Sequence, residues 1–278
     1  MVGTDRRYRW RVLLRKEGDA VIAIGQASHA WISGQLARAW GNALFAAPDP
    51  FEEVCLAAEQ HDVGMAEWDL RASLNPRTGL PYSFLEIPLQ THLALWTAAP
   101  AKLLTQSRYA ALLVSMHGTA LNERRDLGKL RPQDRELVAS FLQAQRDRES
   151  RAAAQLAVDA SELARNQRLV WTWDSLSLAV CLRWTTLALH DVPDGRGHVE
   201  MTLTSLTAER FALEPWPFAG ERVDVHCEGR LLDATFDSED DLHRALDVAP
   251  LVELKFTLAR AGSSSSRSRA CSRAGRGD

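Results

Sequence analysis

The chain has 278 residues, 46% hydrophobic and 25% charged, a globular composition that excludes collagen-like and wholly disordered proteins. No run approaches the ~18 consecutive apolar residues of a membrane helix, so a membrane partner is not expected. The net charge of −3 conceals a basic end: the last 17 residues hold four arginines and one acid, leaving the remainder near −6, which argues against nucleic acid as a partner.

The opening stretch, MVGTDRRYRWRVLLR, carries arginines where a signal peptide would carry its apolar run, and points to a cytoplasmic protein. Trp10, Val12 and Leu14 alternate with polar residues, Glu17-Gly18-Asp19 supplies a turn, and Val21 to Ile24 returns. That pattern predicts a β-hairpin within residues 1–27.

Residues 28–189 are written in helix. Ser28 is placed to cap a helix running to about Phe45, with Trp31, Leu36, Trp40 and Leu44 on one stripe. Asp49-Pro50-Phe51-Glu52 starts a second helix that stops by Gly64. Trp68 to Ile87 is a long loop of the kind that forms lids. Pro88 opens a third helix through Trp96, and Ser107 a fourth through His117, ended by Gly118. Pro132 begins a charged stretch to about Arg168, and an apolar helix follows from about Val170 to Leu189.

Residues 190–261 alternate again at Val199/Met201/Leu203, Val223/Val225/Cys227 and Val252/Leu254/Phe256/Leu258, with a short helix capped at Ser238. Residues 262–278, rich in Ser and Arg, bury no core and are expected to be disordered. The expected fold is therefore mainly α, a helical bundle with a small antiparallel sheet contributed by the N- and C-terminal flanks. Cys55, Cys181, Cys227 and Cys271 lack C-x-x-C spacing and read as reduced packing residues.

Four histidines fall in the helical segment: His29, His61, His92 and His117. His61 is followed by Asp62-Val63-Gly64, and Asp174 sits in apolar company between Trp173 and Leu176. An unpaired carboxylate there would be costly to bury. Ionisable groups pointed into one bundle must pair with one another or hold metal, and metal is the simpler solution. Asp62, with two oxygens, is the natural bridge between two ions. Trp31, Trp40, Trp68, Trp96, Trp171, Trp173 and Trp184 read mainly as core. His190-Asp191 repeats the dipeptide but falls at an expected helix exit. There is no phosphate-loop, dinucleotide or G-x-S-x-G signature.

The order His29, His61-Asp62, His92, His117, Asp174 resembles the HD-domain superfamily of metal-dependent phosphohydrolases and their di-iron oxygenase relatives. The stretches SHAWISGQLARAWGN, EQHDVGMAEWD and SMHGTAL also resemble an uncharacterised bacterial family without assigned activity. The superfamily resemblance covers residues 28–189 and implies an HD-like fold there. It implies that His29, His61, Asp62 and Asp174 hold a first divalent ion, and that His92 and His117 hold a second, bridged by Asp62. Mixed nitrogen and oxygen ligation suits Fe or Mn, with Zn as an alternative. The implied activity is hydrolysis of a phosphate ester or related small molecule by metal-activated water, with His61 and Asp62 at the catalytic centre. A di-iron oxygenase and a non-catalytic metal-containing binding module are the alternative readings. The sequence departs from the HD pattern in one respect: Met65, Glu67 and Asp69 follow the HDVG segment where many HD proteins carry a Lys or His. A phosphate would need Arg38, Arg71, Arg108 or Arg183 to point inward. The oligomeric state is left open.

Overall fold

The computed structural model describes residues 13–82 and 86–262. Trp10 and Val12 of the expected hairpin, and all but the first residue of the Ser/Arg tail, lie outside the described residues. The N-terminal hairpin consists of β1 (Leu13–Glu17) and β2 (Ala20–Ile24), turned at Gly18 in the left-handed region, φ 62°. The helical segment follows as α1 (Gln26–Ala39), α2 (Phe51–Glu59) and α3 (Ala66–Leu70). A two-stranded ribbon, β3 (Leu74–Asn75) and β4 (Leu80–Pro81), leads to α4 (Leu89–Ala98) and α5 (Arg108–Glu123). Two long helices, α6 (Pro132–Leu156) and α7 (Ala160–Cys181), complete that segment. Then come β5 (Thr186–Pro193), β6 (His198–Ser205), β7 (Arg210–Glu214), β8 (Arg222–Leu232), α8 (Glu239–Val248) and β9 (Leu251–Arg260).

The main sheet has seven strands in the order β1-β2-β8-β9-β7-β6-β5. All its pairs are antiparallel except β7 with β9, which run parallel. Helix accounts for 49% and strand for 23%, and the sheet curls into a half-barrel. This overturns the expectation of a mainly α, HD-like bundle with a small sheet: the sheet is a principal layer, not an appendage. Its strands do come from both flanks, because β2 pairs with β8 across some two hundred residues of sequence. Helices and sheet share one hydrophobic core. At its centre the Trp40 ring meets Trp173 of α7 and Phe218 of the β7–β8 connection edge-on, both at 5.6 Å between centroids.

Two helix ends explain the error. The expected apolar helix to Leu189 stops at Cys181, where Arg183 turns left-handed at φ 53°. The Trp184 amide donates to Ala179 O and the Arg183 amide to Val180 O, closing a Schellman turn. Glycine normally signals this turn; an arginine in its place hides it, and Leu187 and Leu189, expected in the helix, lie in strand β5. His190-Asp191 consequently sits in a bulge of β5, not at a helix exit. Likewise α6 ends at Ala157, left-handed at φ 52°, and α7 starts afresh with Asp159 capping the Ser161 and Glu162 amides.

Three further boundaries moved. The first helix begins at Gln26, two residues before the expected cap, and ends at Ala39; Trp31 and Leu44 are exposed rather than part of a buried stripe. The 68–87 stretch is partly ordered as α3 and the β3–β4 ribbon. Ser107 does cap α5, accepting from the Ala110 amide, but Gly118 does not end that helix, which continues one and a half turns to Glu123. Gly118 is instead a contact residue: a Cβ there would lie 2.6 Å from Trp96 Cε3.

That contact sets the sign of a mutation. An interior helical Gly→Ala change ordinarily gains up to ~1 kcal/mol. Gly118→Ala should instead lose about 1–3 kcal/mol, because Trp96 is buried and has nowhere to yield. Urea unfolding showing a stabilised variant would contradict the packing described.

Candidate metal centre

Five elements deliver the ionisable residues. His29 lies on α1, one turn from its start. His61 and Asp62 sit not on a helix but in the turn between α2 and the short 3₁₀ turn Val63–Met65. Gly64 lets that turn press on α4, since a Cβ would be 2.7 Å from Leu95 O. His92 is on α4, His117 on α5 and Asp174 on α7. All six side chains are buried.

Five of the six converge. His29 Nε2 lies 2.8 Å and His61 Nε2 3.5 Å from Asp62 Oδ2. Asp174 joins them, with Oδ1 3.3 Å from His61 Nε2 and Oδ2 3.6 Å from His117 Nε2. Asp174 therefore belongs to the same cluster as the His-Asp dipeptide more than a hundred residues earlier. His92 does not join either of the two potential ligand groups, His29/His61/Asp62 and His61/His117/Asp174. Its Nδ1 faces Arg125 Nη2 at 2.7 Å and its Nε2 faces Trp96 Nε1 at 3.1 Å.

The hydrogen bonds behind the cluster fix which ring atoms face it. His61 Nδ1 donates to Ala58 O at 2.8 Å, which leaves Nε2 for the centre. Ser177 Oγ spends its proton on Asp174 O, so His29 Nδ1 donates to Ser177 Oγ at 2.9 Å, and its Nε2 also faces inward. There it meets two acceptors, Asp62 Oδ2 and Gln26 Oε1, both at 2.8 Å. His61 Nε2 is buried without a hydrogen-bond partner although two carboxylates flank it. Imidazole lone pairs facing carboxylate oxygens repel unless a positive species stands between them. Anchoring of Nδ1 by backbone or hydroxyl groups, with Nε2 presented to the centre, is the usual support of a metal-binding histidine. Ligand atoms each ~2.0–2.2 Å from one ion stand roughly 3–3.5 Å apart, close to the separations seen here.

Without an ion, protons must do the balancing. Burial would lower the His61 pKa, but Asp62 and Asp174 raise it to about 9. Burial would raise Asp62, but His61 and His29 hold it down at about 2, and Asp174 is held low in the same way. Burial, then His61, lowers His117 to about 4; burial, then Arg125, lowers His92 to about 3.

Two sets of residues near the centre escaped the sequence reading. Asp69 of α3 caps α1 from outside: its Oδ2 accepts the Gln26 amide at 2.6 Å, taking the role expected of Ser28. Burial raises its carboxyl to about 7 despite that bond. The second set is Arg124 and Arg125, which follow α5 and line a cavity of about 260 Å³ with His29, His92, Trp171 and Asp174. They lie seven and eight positions beyond His117, just past the end of its helix, and the expected stop at Gly118 concealed them. The arginines considered earlier line no part of this cavity: Arg38 pairs with Glu59, Arg71 with Asp247, Arg183 with Glu17, and Arg108 borders a separate pocket. Of the tryptophans, Trp171 walls the cavity and Trp96 lies against His92 and His117.

These shifts predict the pH profile of the metal-free protein. Asp69, ionising at 3.8 unfolded and about 7 folded, removes stability as pH rises across that interval. His61, at 6.5 unfolded and about 9 folded, stabilises below 6.5 and loses that contribution as pH rises to 9. Asp62 contributes above 3.8 and loses its contribution as pH falls to 2. His117 and His92, at 6.5 unfolded and about 4 and about 3 folded, act oppositely and add stability as pH rises to 6.5. Together they outweigh Asp69, so thermal unfolding in chelator should show stability rising from pH 4 to about 6 and falling from there to pH 9. Added Mn²⁺ or Zn²⁺ should flatten the falling limb above 6.5, and Asp69→Asn should steepen the rise below it; a metal-insensitive alkaline limb would refute the His61 assignment.

Searches of curated proteins and of solved structures found no match. No described helix is long and apolar enough to cross a membrane. A match does extend over residues 12–234, from the N-terminal hairpin through all the clustered residues to the end of β8, to the family described as "Protein of unknown function (DUF3891)". The chain belongs to that family.

Proposed function

We propose that this protein is a metal-dependent hydrolase of a phosphate ester or related small molecule, built on one divalent ion held by His29, His61, Asp62 and Asp174, with His117 alongside. The observation that carries this reading is His61 Nε2, buried, without a hydrogen-bond partner and flanked by two carboxylates. One imidazole nitrogen has one in-plane lone pair and serves one ion. Since the two potential ligand groups share His61, and His92 faces Arg125 and Trp96, the arrangement favours one ion over the two that the HD resemblance implied. The mixed nitrogen and oxygen donors suit Mn or Fe, with Zn as an alternative.

A bound ion would supply Lewis-acid activation of water and of the bond to be cleaved. The chain's residues provide the rest. Asp62 and Asp174 together carry two negative charges, which a divalent ion neutralises, so the centre would not repel an anionic substrate. Ala58 O and Ser177 Oγ hold the two imidazoles in orientation. Trp96 and Trp171, ring-to-ring with His117 at 5.8 and 5.7 Å, restrict water on that side. His117 Nε2, 3.6 Å from Asp174 Oδ2, is the group placed to move a proton there. The oxygenase reading requires two irons, which the position of His92 disfavours.

Elemental analysis after reconstitution should find close to one transition-metal ion per chain. His61→Ala and Asp62→Ala should each lose most of it, together with phosphoesterase activity on generic substrates assayed without O₂. Full metal retention by both variants would defeat the assignment. O₂ consumption by an iron-loaded form with no ester cleavage would favour the oxygenase.

A further inference from the structure

The cavity beside the centre is electrostatically unbalanced. Arg124 Nη1 donates to Ala120 O at 2.9 Å, and its Cζ stands 3.9 Å from the centre of the Trp171 ring. Arg125 Nε donates to Asn122 Oδ1 and its Nη2 to His92 Nδ1, both at 2.7 Å. Every one of these partners is neutral, so the two guanidinium groups are oriented without being neutralised. Among the described residues no carboxylate oxygen lies in ion-pair range of either. By contrast Arg38, Arg131, Arg146, Arg168 and Arg183 each pair with an acid. Cations near a helix C-terminus are favoured by its dipole, and that accounts for Arg124, which caps α5. It does not account for Arg125, turned onto His92 and half-buried beside a cavity.

We propose that Arg124 and Arg125 form the phosphate-binding end of this cavity and that the substrate is a small phosphomonoester. This rests on the hydrolase reading for its chemistry, though not for the anion site itself. With one divalent ion cancelling Asp62 and Asp174, the two arginines leave a charge of +2, which matches a phosphomonoester dianion better than a singly charged diester. Their unused donors, Arg125 Nη1 and Arg124 Nε and Nη2, offer the forked geometry suited to phosphate oxygens. The cavity, about 260 Å³, has room for a phosphate group and a small alcohol esterified to it. His92 takes the role of a positioning residue for Arg125 in place of the ligand role implied by the resemblance. In the reaction the oxygen of water bonds to phosphorus as the ester P–O bond breaks. The departing alkoxide takes up the proton that water releases, giving an alcohol and inorganic phosphate. The product is thus itself a ligand for the arginines.

Inorganic phosphate is therefore the probe. Calorimetric titration of the full chain should show saturable phosphate binding, tighter in the Mn²⁺-loaded form than in chelator. Arg125→Gln and Arg124→Gln should each weaken it by about 10-fold or more, the loss expected for a charged hydrogen bond, while metal content stays unchanged. Arg38→Gln, remote and paired with Glu59, should leave it unaltered. Metal binding without phosphate binding, or phosphate affinity indifferent to both arginine changes, would overturn the inference and leave the hydrolase reading standing. Phosphate binding through the arginines in a protein that takes up no metal would uphold the anion site and overturn the hydrolase. Should Arg125→Gln fail to fold by circular dichroism, Arg124→Gln decides, because that side chain is exposed.

Discussion

Two carboxylates, Asp62 and Asp174, are buried against three imidazoles, and among the described residues no Lys or Arg pairs with either. Burying one ionised carboxylate uncompensated costs several kcal/mol, and two near one another also repel. The tertiary structure around them is organised to make that burial tolerable. Each inward ring nitrogen is directed at an oxygen, and each outward one that is anchored has a neutral acceptor behind it. A positive species at the centre completes the arrangement: protons in the metal-free protein, one divalent ion in the functional one proposed here.

The rest of the fold serves to hold those groups from four separate elements. No single element presents more than two of them, so the cluster exists only when α1, the α2 turn, α5 and α7 are packed. Close contacts enforce the packing, as where Gly64 meets α4 and Gly118 meets Trp96. Asp69 satisfies the start of α1 from a different element, coupling the orientation of His29 to the position of α3. The curled sheet backs this assembly, with the Trp40–Phe218 contact joining the two layers.

Charge is sorted within the site. The acids lie at the centre, the arginines at the end of α5, and His92, kept neutral by burial and by Arg125, lies between them in role. A cation at the centre would neutralise the acids without affecting the arginines, so metal loading and anion affinity should be coupled through electrostatics alone. That coupling needs no conformational change, because Trp171, Asn122, Ala120 and His92 already orient both guanidinium groups.

Residue chemistry in linear order was enough to nominate five clustered side chains, since burying His29, His61, Asp62, His117 and Asp174 in apolar surroundings demands mutual compensation whatever elements carry them. Alternating apolar residues likewise marked β1, β2, β6, β8 and β9, and Ser107 and Ser238 marked helix starts by a local hydrogen bond that needs no distant partner. What stayed hidden depended on contacts between distant residues. Arg183 and Ala157 adopt left-handed turns that their side chains do not advertise, so the end of α7 and the extent of the sheet were misjudged. Gly118 reads locally as a helix stop; only Trp96 packed against it reveals a spacing requirement. The position of His92 was decided by Arg125, thirty-three residues away, because an imidazole goes to whichever partner the packing supplies.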